Sequence, residues 1–285
     1  MRGISEKDYE RIRCDSPVPG VARVTLARAD KRNAQDRRML YEIDRAYAAA
    51  MRDDAVKVVV LAADGPDFSS GHDLRDTEDV TSFDTVTGTG GFAEPGQHGH
   101  MAVEEEIYLG LCWRWRNLPK PLIAQVQGRV IAGGLMLVWP CDLIIASEDA
   151  LFSDPVVAFG VNGHEFFVHA WEFGPRKAKE MLFRGRFLTA AECHRLGMIN
   201  HVVAREELEP FTLDLAAEIA ARPAMGLKLA KRAVNASLDA QGQWNAIQSA
   251  FALHHIGHAN ARIVHGAPID PGGVDVVRDL AKPSE

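Results

Sequence analysis

Apolar residues recur at two periods along this chain, and the dominant period changes past its middle. Val21–Leu26 and 56–62 are short runs rich in β-branched residues and read as strands. Between them, 37–51 places Leu40, Ile43, Tyr47 and Met51 at helical spacing, so the opening reads strand, helix, strand. Leu122–Val126 follows the punctuation of Pro119 and Pro121, 142–146 follows a Gly-rich turn, and Leu151–Ser153 reads as another short strand. Thr189 and Glu192 then form a capping-box signature, after which 206–221, 224–237 and 243–259 are periodic as helices. The expected division lies near Gly174 and Pro175, giving an α/β part over 1–174 and a helical part over 175–285. Residues 76–101 are rich in Gly, Thr and Asp, lack apolar periodicity and exceed an ordinary connection, which predicts a mobile flap. No internal repeat is visible.

Composition narrows the function classes. The 285 residues are 47% hydrophobic and 25% charged, as in an ordinary globular protein with a substantial core. A formal charge of -7 with scattered basic residues argues against nucleic acid as a partner. Cys14, Cys112, Cys141 and Cys193 lie far apart without a CxxC pair, so neither a disulfide framework nor a zinc site is expected. That usage, and the charged opening stretch Met1 to Cys14, fit a cytoplasmic protein without a signal peptide. The longest apolar stretch, 130–146, contains Gly133, Gly134, Pro140 and Asp142, which argues for a buried element and against a membrane span.

Two turns carry candidate chemistry. The strand over 56–62 runs into Phe68-Ser69-Ser70-Gly71-His72-Asp73-Leu74, where small residues permit a tight turn with outward amides. The strand Leu122–Val126 runs into Gly128 through Gly134, and a helix starting near Gly133 would aim free amides and its positive end at one point. Two such amides on one carbonyl oxygen would stabilise an enolate or a tetrahedral oxyanion.

These motifs, with Leu26-Ala27-Arg28 through Lys31-Arg32-Asn33-Ala34, Pro121-Leu122-Ile123-Ala124, Cys141-Asp142, Ala190-Ala191-Glu192 to Leu196-Gly197-Met198-Ile199 and His201-Val202-Val203, resemble the crotonase (enoyl-CoA hydratase/isomerase) family in order and spacing. The resemblance covers about residues 18 to 265. It implies a spiral of strand-strand-helix repeats, a C-terminal helical region that builds a homotrimer or dimer of trimers, and an acyl-CoA thioester as ligand. It also assigns the oxyanion hole to the amides of His72 and Gly133. Ser69, Ser70 and Gly71 become candidates for main-chain contacts to the adenine, and Arg28, Lys31, Arg32 and Arg75 for the CoA phosphates. No metal or redox cofactor is implied beyond coenzyme A as part of the substrate.

The sequence departs from the family's hydratases where it matters most. Met136 and Val156 stand at the two positions that carry hydratase glutamates, and neither can transfer a proton. His164 and Glu165, in the loop after Leu151–Ser153, are the candidate replacements, with the His72 imidazole as a third. Asp154 and Asp73 read as turn caps. His98 and His100 read as flap histidines, and His254 and His258 share a helix face without an acidic residue of the metalloprotease type between them. Glu104, Glu105 and Glu106 read as a solvated first helical turn, and Trp113 and Trp115 as packing residues. The expected activity is therefore isomerisation, hydrolysis or decarboxylation of an acyl-CoA ahead of plain hydration. The alternative is a non-catalytic acyl-CoA-binding or scaffolding protein.

Overall fold

A computed structural model describes residues 9–280. The outer ends of the two expected parts, 1–8 and 281–285, lie outside the described residues. β1 (Ile12–Asp15) lies antiparallel to β2 (Val21–Leu26), and β2 continues in parallel through β3 (Val58–Ala63), β4 (Leu122–Val126), β6 (Leu143–Ser147) and β9 (His201–Val203). A second sheet holds β5 (Arg129–Ile131), β7 (Leu151–Ser153) and β8 (Leu188–Thr189).

The strands explain their own sequence. Val58 and Val60 pack with Val21, Ile123 and Ile145 against Leu208, Ala216 and Ala220 of α7 (Leu208–Ala220), while Val59 and Leu61 face the main core on the other side. A parallel sheet covered on both faces needs apolar residues at every position, so these runs do not alternate with polar ones. α1 (Arg37–Arg52) starts where Asp36 accepts a hydrogen bond from Met39 N at 2.9 Å, and its buried face carries Leu40, Ile43 and Tyr47.

The spiral arises because successive strand pairs divide between the two sheets. β4 leads into β5, and β6 into β7, with β5 and β7 registered as Arg129↔Leu151 to Ile131↔Ser153. The segment after β3 joins the same succession through the isolated bridge Ser69↔Val130, and the segment after β2 through Gln35↔His72. Each turn of chain is thus stacked on the next, which brings the two glycine turns side by side.

Three features add detail to the expected layout. The division near Gly174 is a kink inside α5 (His169–Arg184), where Gly174 adopts φ 71 and Pro175 follows. The later half is not purely helical, since β8 and β9 complete both sheets alongside α6 (Ala190–Leu196), α7, α8 (Ala224–Ala240), α9 (Gln243–His265) and α10 (Gly273–Leu280). The segment 76–101 is held by side-chain and main-chain contacts between Asp76 and Thr87. Asp76 accepts from Arg37 N at 2.8 Å, Phe83 stacks on Tyr41 at 4.6 Å, and Val86 N and Thr87 N donate to Glu106 at 2.7 and 3.0 Å. Its end forms the start of α2 (Gln97–Glu104). A π-helical stretch, Glu105–Gly110, then leads into α3 (Leu111–Arg116). Among the described residues, no helix is long and apolar enough to cross a membrane.

Candidate functional site

The first turn is shaped by its side chains. Asn33, left-handed at φ 50, donates to the carbonyls of Asp64 and Asp67 at 2.9 and 3.1 Å and accepts from Arg28 N at 3.0 Å. Ser69 Oγ donates to Asn33 O at 2.8 Å, and Gly71 takes φ 92, a conformation that side chains rarely adopt. A Cβ on Gly71 would also sit 2.8 Å from Ile131 O. The second turn presses against it. A Cβ on Gly134 would meet Ser69 O at 2.8 Å, and Gln35 Nε2 donates to Gly133 O at 2.7 Å. Ala132, just before α4 (Gly133–Val138), is held at φ 47. That combination is strained for a residue with a Cβ and persists only where surrounding contacts over-determine it.

Neither His72 N nor Gly133 N donates a hydrogen bond among the described residues. The two residues touch closely enough that a Cβ on Gly133 would lie 2.6 Å from the His72 ring. Beside them opens a cavity of about 580 Å³, lined among others by Ser70, His72, Ala132, Val156, His164 and Glu165. The structure therefore brings together all four candidate catalytic residues at one place, and puts Val156 at the cavity wall while Met136 is buried in the core.

Glu165 is 4% exposed, and its Oε2 lies 3.4 Å from His72 Nε2. Burial pushes its pKa up, but the adjacent His72 and the more distant His254 outweigh burial and hold it below the usual carboxylate range. The carboxylate is charged at neutral pH. The His72 ring stacks at 3.9 Å on Tyr108, which the π-helical stretch turns toward the turn.

His164 behaves differently from its neighbour. It is 2% exposed, and burial pushes its pKa down to about 3, so the ring stays neutral. A ring held neutral there is a weak base, so it carries no standing charge near neutrality. Its amide donates to Asp154 Oδ2 at 2.9 Å, and Asp154 also receives His169 Nε2 at 2.8 Å. Asp154 is thus a buried hub as well as the cap of the turn at Val156.

The candidate phosphate cations separate into two kinds. Arg28 is engaged by Asp36 at 3.1 Å, Asp73 at 3.0 Å and Ala34 O, so its charge is already met within the fold. Lys31, Arg32 and Arg75 are exposed outside the cavity. Ser69 is buried with its hydroxyl engaged between Asn33, Gln35 and Gly71, and Gly71 is buried as well, which leaves Ser70 as the accessible part of that stretch.

Sequence reasoning missed a second polar group in the same cavity. Glu104, read as solvated, is 7% exposed and faces His100, His254, His255 and His258 at 2.9, 3.7, 3.4 and 3.6 Å. Glu106 is fully buried and serves as the anchor for Val86, Thr87 and Tyr41. His254 and His258 do have an acidic neighbour, but it comes from α2 instead of from their own helix. Their i, i+4 spacing was the one available signal.

The description Enoyl-CoA hydratase/isomerase belongs to the family model that matches residues 18–266. Over 277 residues the chain is 41% identical to "Putative enoyl-CoA hydratase EchA13" of Mycobacterium tuberculosis, covering 94% of this chain and 87% of that one. A crystal structure of a probable enoyl-CoA hydratase from Mycobacterium smegmatis is 49% identical, with a TM-score of 0.83 over 91% of this chain and 98% of the other. That of an enoyl-CoA hydratase/isomerase from Xanthobacter autotrophicus Py2 is 31% identical, with a TM-score of 0.80 over 95% and 96%. The stacked turns and the cavity beside them therefore sit in a chain matched along nearly its whole length, and that chain is an enzyme of the enoyl-CoA hydratase/isomerase, or crotonase, family.

Proposed function

We propose that the protein processes an acyl-CoA thioester by holding its carbonyl oxygen on the amides of His72 and Gly133 while Glu165 moves a proton. The observation that carries this reading is a buried carboxylate in the cavity beside two adjacent turns, each bearing one undonated amide. Amides already free of partners need no reorganisation when negative charge develops on the oxygen. Isomerisation of an unsaturated acyl group fits best, since one carboxylate takes a proton from one carbon and returns it to another. Hydration requires a further group to activate water, and Met136 and Val156 occupy the positions that resemble the family's for it. Ser70 and Gly71 would meet the CoA portion, with Lys31, Arg32 and Arg75 outside the cavity as its phosphate cations.

Mass spectrometry and chromatography of a panel of enoyl-, dienoyl-, β-hydroxy-, malonyl-type and saturated acyl-CoA esters test this. A new isomer of unchanged mass is expected. Gain of water would refute the isomerase reading, as would loss of carbon dioxide or release of CoA; recovery of every ester unchanged but bound would favour the non-catalytic binder.

Assembly as a homotrimer or dimer of trimers belongs to the same proposal. Its motive is the set of exposed apolar side chains on α8 and α9, including Leu229, Val234, Ile256 and Ile263. Light scattering should give a trimer mass or a multiple of it, and a monomer at micromolar concentration would end the idea.

A further inference from the structure

We propose that Glu104, His254 and His258 bind one divalent first-row transition ion of the zinc type at the wall of the acyl cavity. His254 and His258, one turn apart on α9, point their Nε2 atoms at each other at 2.8 Å. His254 Nδ1 lies 2.8 Å from Gly163 O, and His258 Nδ1 lies 2.5 Å from Pro268 O. A carbonyl only accepts, so each Nδ1 carries a hydrogen, and the Nδ1–H tautomer of each ring turns a bare lone pair toward the other. Two lone pairs at that separation require a positive centre between them.

Glu104 Oε2 completes the arrangement. It lies 3.7 Å from His254 Nε2 and 3.6 Å from His258 Nε2, and among the described residues it accepts no hydrogen bond although it is buried. The point equidistant from the three atoms is about 2.0 Å from each, which is the bond length of zinc to imidazole nitrogen and carboxylate oxygen. Each imidazole donates its other nitrogen to a backbone carbonyl, the outer support that metal-bound histidines use. The carboxylate is supported as well. His100 Nε2 lies 2.9 Å from Glu104 Oε1. Arg262 donates to Gln97 Oε1, which turns the Gln97 amide nitrogen onto His255 Nδ1 at 2.7 Å and leaves the His255 Nε2 hydrogen facing Glu104 at 3.4 Å.

Three protein ligands leave a zinc-type ion with an open position. All three line the cavity, so that position is reachable by water or by an oxygen of the acyl group. Glu165 Oε1 stands 3.6 Å from His254 Nε2, next to the site. The inference does not depend on Glu165 being the base, because it concerns binding alone.

The test uses the full chain stripped with a chelator and titrated with Zn²⁺ alone by calorimetry, with metal content per chain measured afterward. One equivalent is expected, and Co²⁺ in its place should give the visible absorption of a low-coordinate site. His258→Ala and Glu104→Gln should each abolish saturable binding, whereas Gln97→Ala should weaken it by about 10- to 100-fold. Circular dichroism of the stripped variants checks the fold, and the near-isosteric Glu104→Gln carries the test if His258→Ala does not fold. Absence of saturable binding, or binding that survives both substitutions, overturns the site and leaves the two histidines sharing a proton.

Discussion

Glu165→Gln is expected to lower turnover of the acyl-CoA substrate by about 10²- to 10⁴-fold while leaving CoA-ester affinity within a few fold. The amide keeps the shape of the carboxylate and can still meet His72 Nε2, now 3.4 Å from the carboxylate oxygen, so the cavity wall is preserved. What it loses is the ability to accept a proton from carbon. The loss should therefore fall on kcat, as for an interaction used only in the transition state. His164→Gln is the matched control. The His164 ring stays neutral until the pH falls to about 3, so any titration of the rate near neutrality belongs to another group and should persist in that variant. Steady-state kinetics over pH, with calorimetric binding beside it, decide the matter. An unchanged kcat in Glu165→Gln would move the chemistry elsewhere in the cavity.

How far the sequence exposed this site depends on the range over which each part is determined. The two turns were legible because their requirement is local. Gly71 must take positive φ and Gly133 must accept the His72 ring at its surface, and only glycine does both cheaply. The strands over 56–62 and Leu122–Val126 were legible because burial on both faces leaves an unbroken apolar run. β8 and β9, with two and three residues, are too short to show any period.

The remaining misreadings concern partners distant in sequence. Glu104 looked solvated because three consecutive glutamates suggest an exposed turn, but α9 packs over α2 and the π-helical stretch changes the phase, so Glu104 and Glu106 both turn inward. The pairing of Arg28 with Asp36 and Asp73 was likewise hidden, because it exists only after the turn folds back. His164 and Glu165 are adjacent and both buried, yet Glu165 Oε2 has His72 Nε2 as a close partner at 3.4 Å. Neither nitrogen of the His164 ring has a hydrogen-bond partner among the described residues. Residue type located the candidates; their three-dimensional neighbours distinguish their environments.

The second large effect is expected at Gly133, where two substitutions separate a steric from an electronic cause. Gly133→Ala keeps the N–H but places a Cβ 2.6 Å from the His72 ring, which must swing aside. Gly133→Pro carries the same Cβ and also removes the N–H. Proline is tolerated at a first helical position, and Gly133 opens α4, although Ala132 at φ 47 adds strain before it. Removing one oxyanion-hole donor costs about 10²- to 10³-fold in rate. Gly133→Pro should therefore fall about that far below Gly133→Ala, with the fold and the assembly checked by circular dichroism and light scattering. Comparison with Gly133→Ala, not with the parent chain, isolates the hydrogen bond. Equal rates for two folded variants would show that the Gly133 amide does not hold the developing charge, and the oxyanion hole would have to be sought away from this turn.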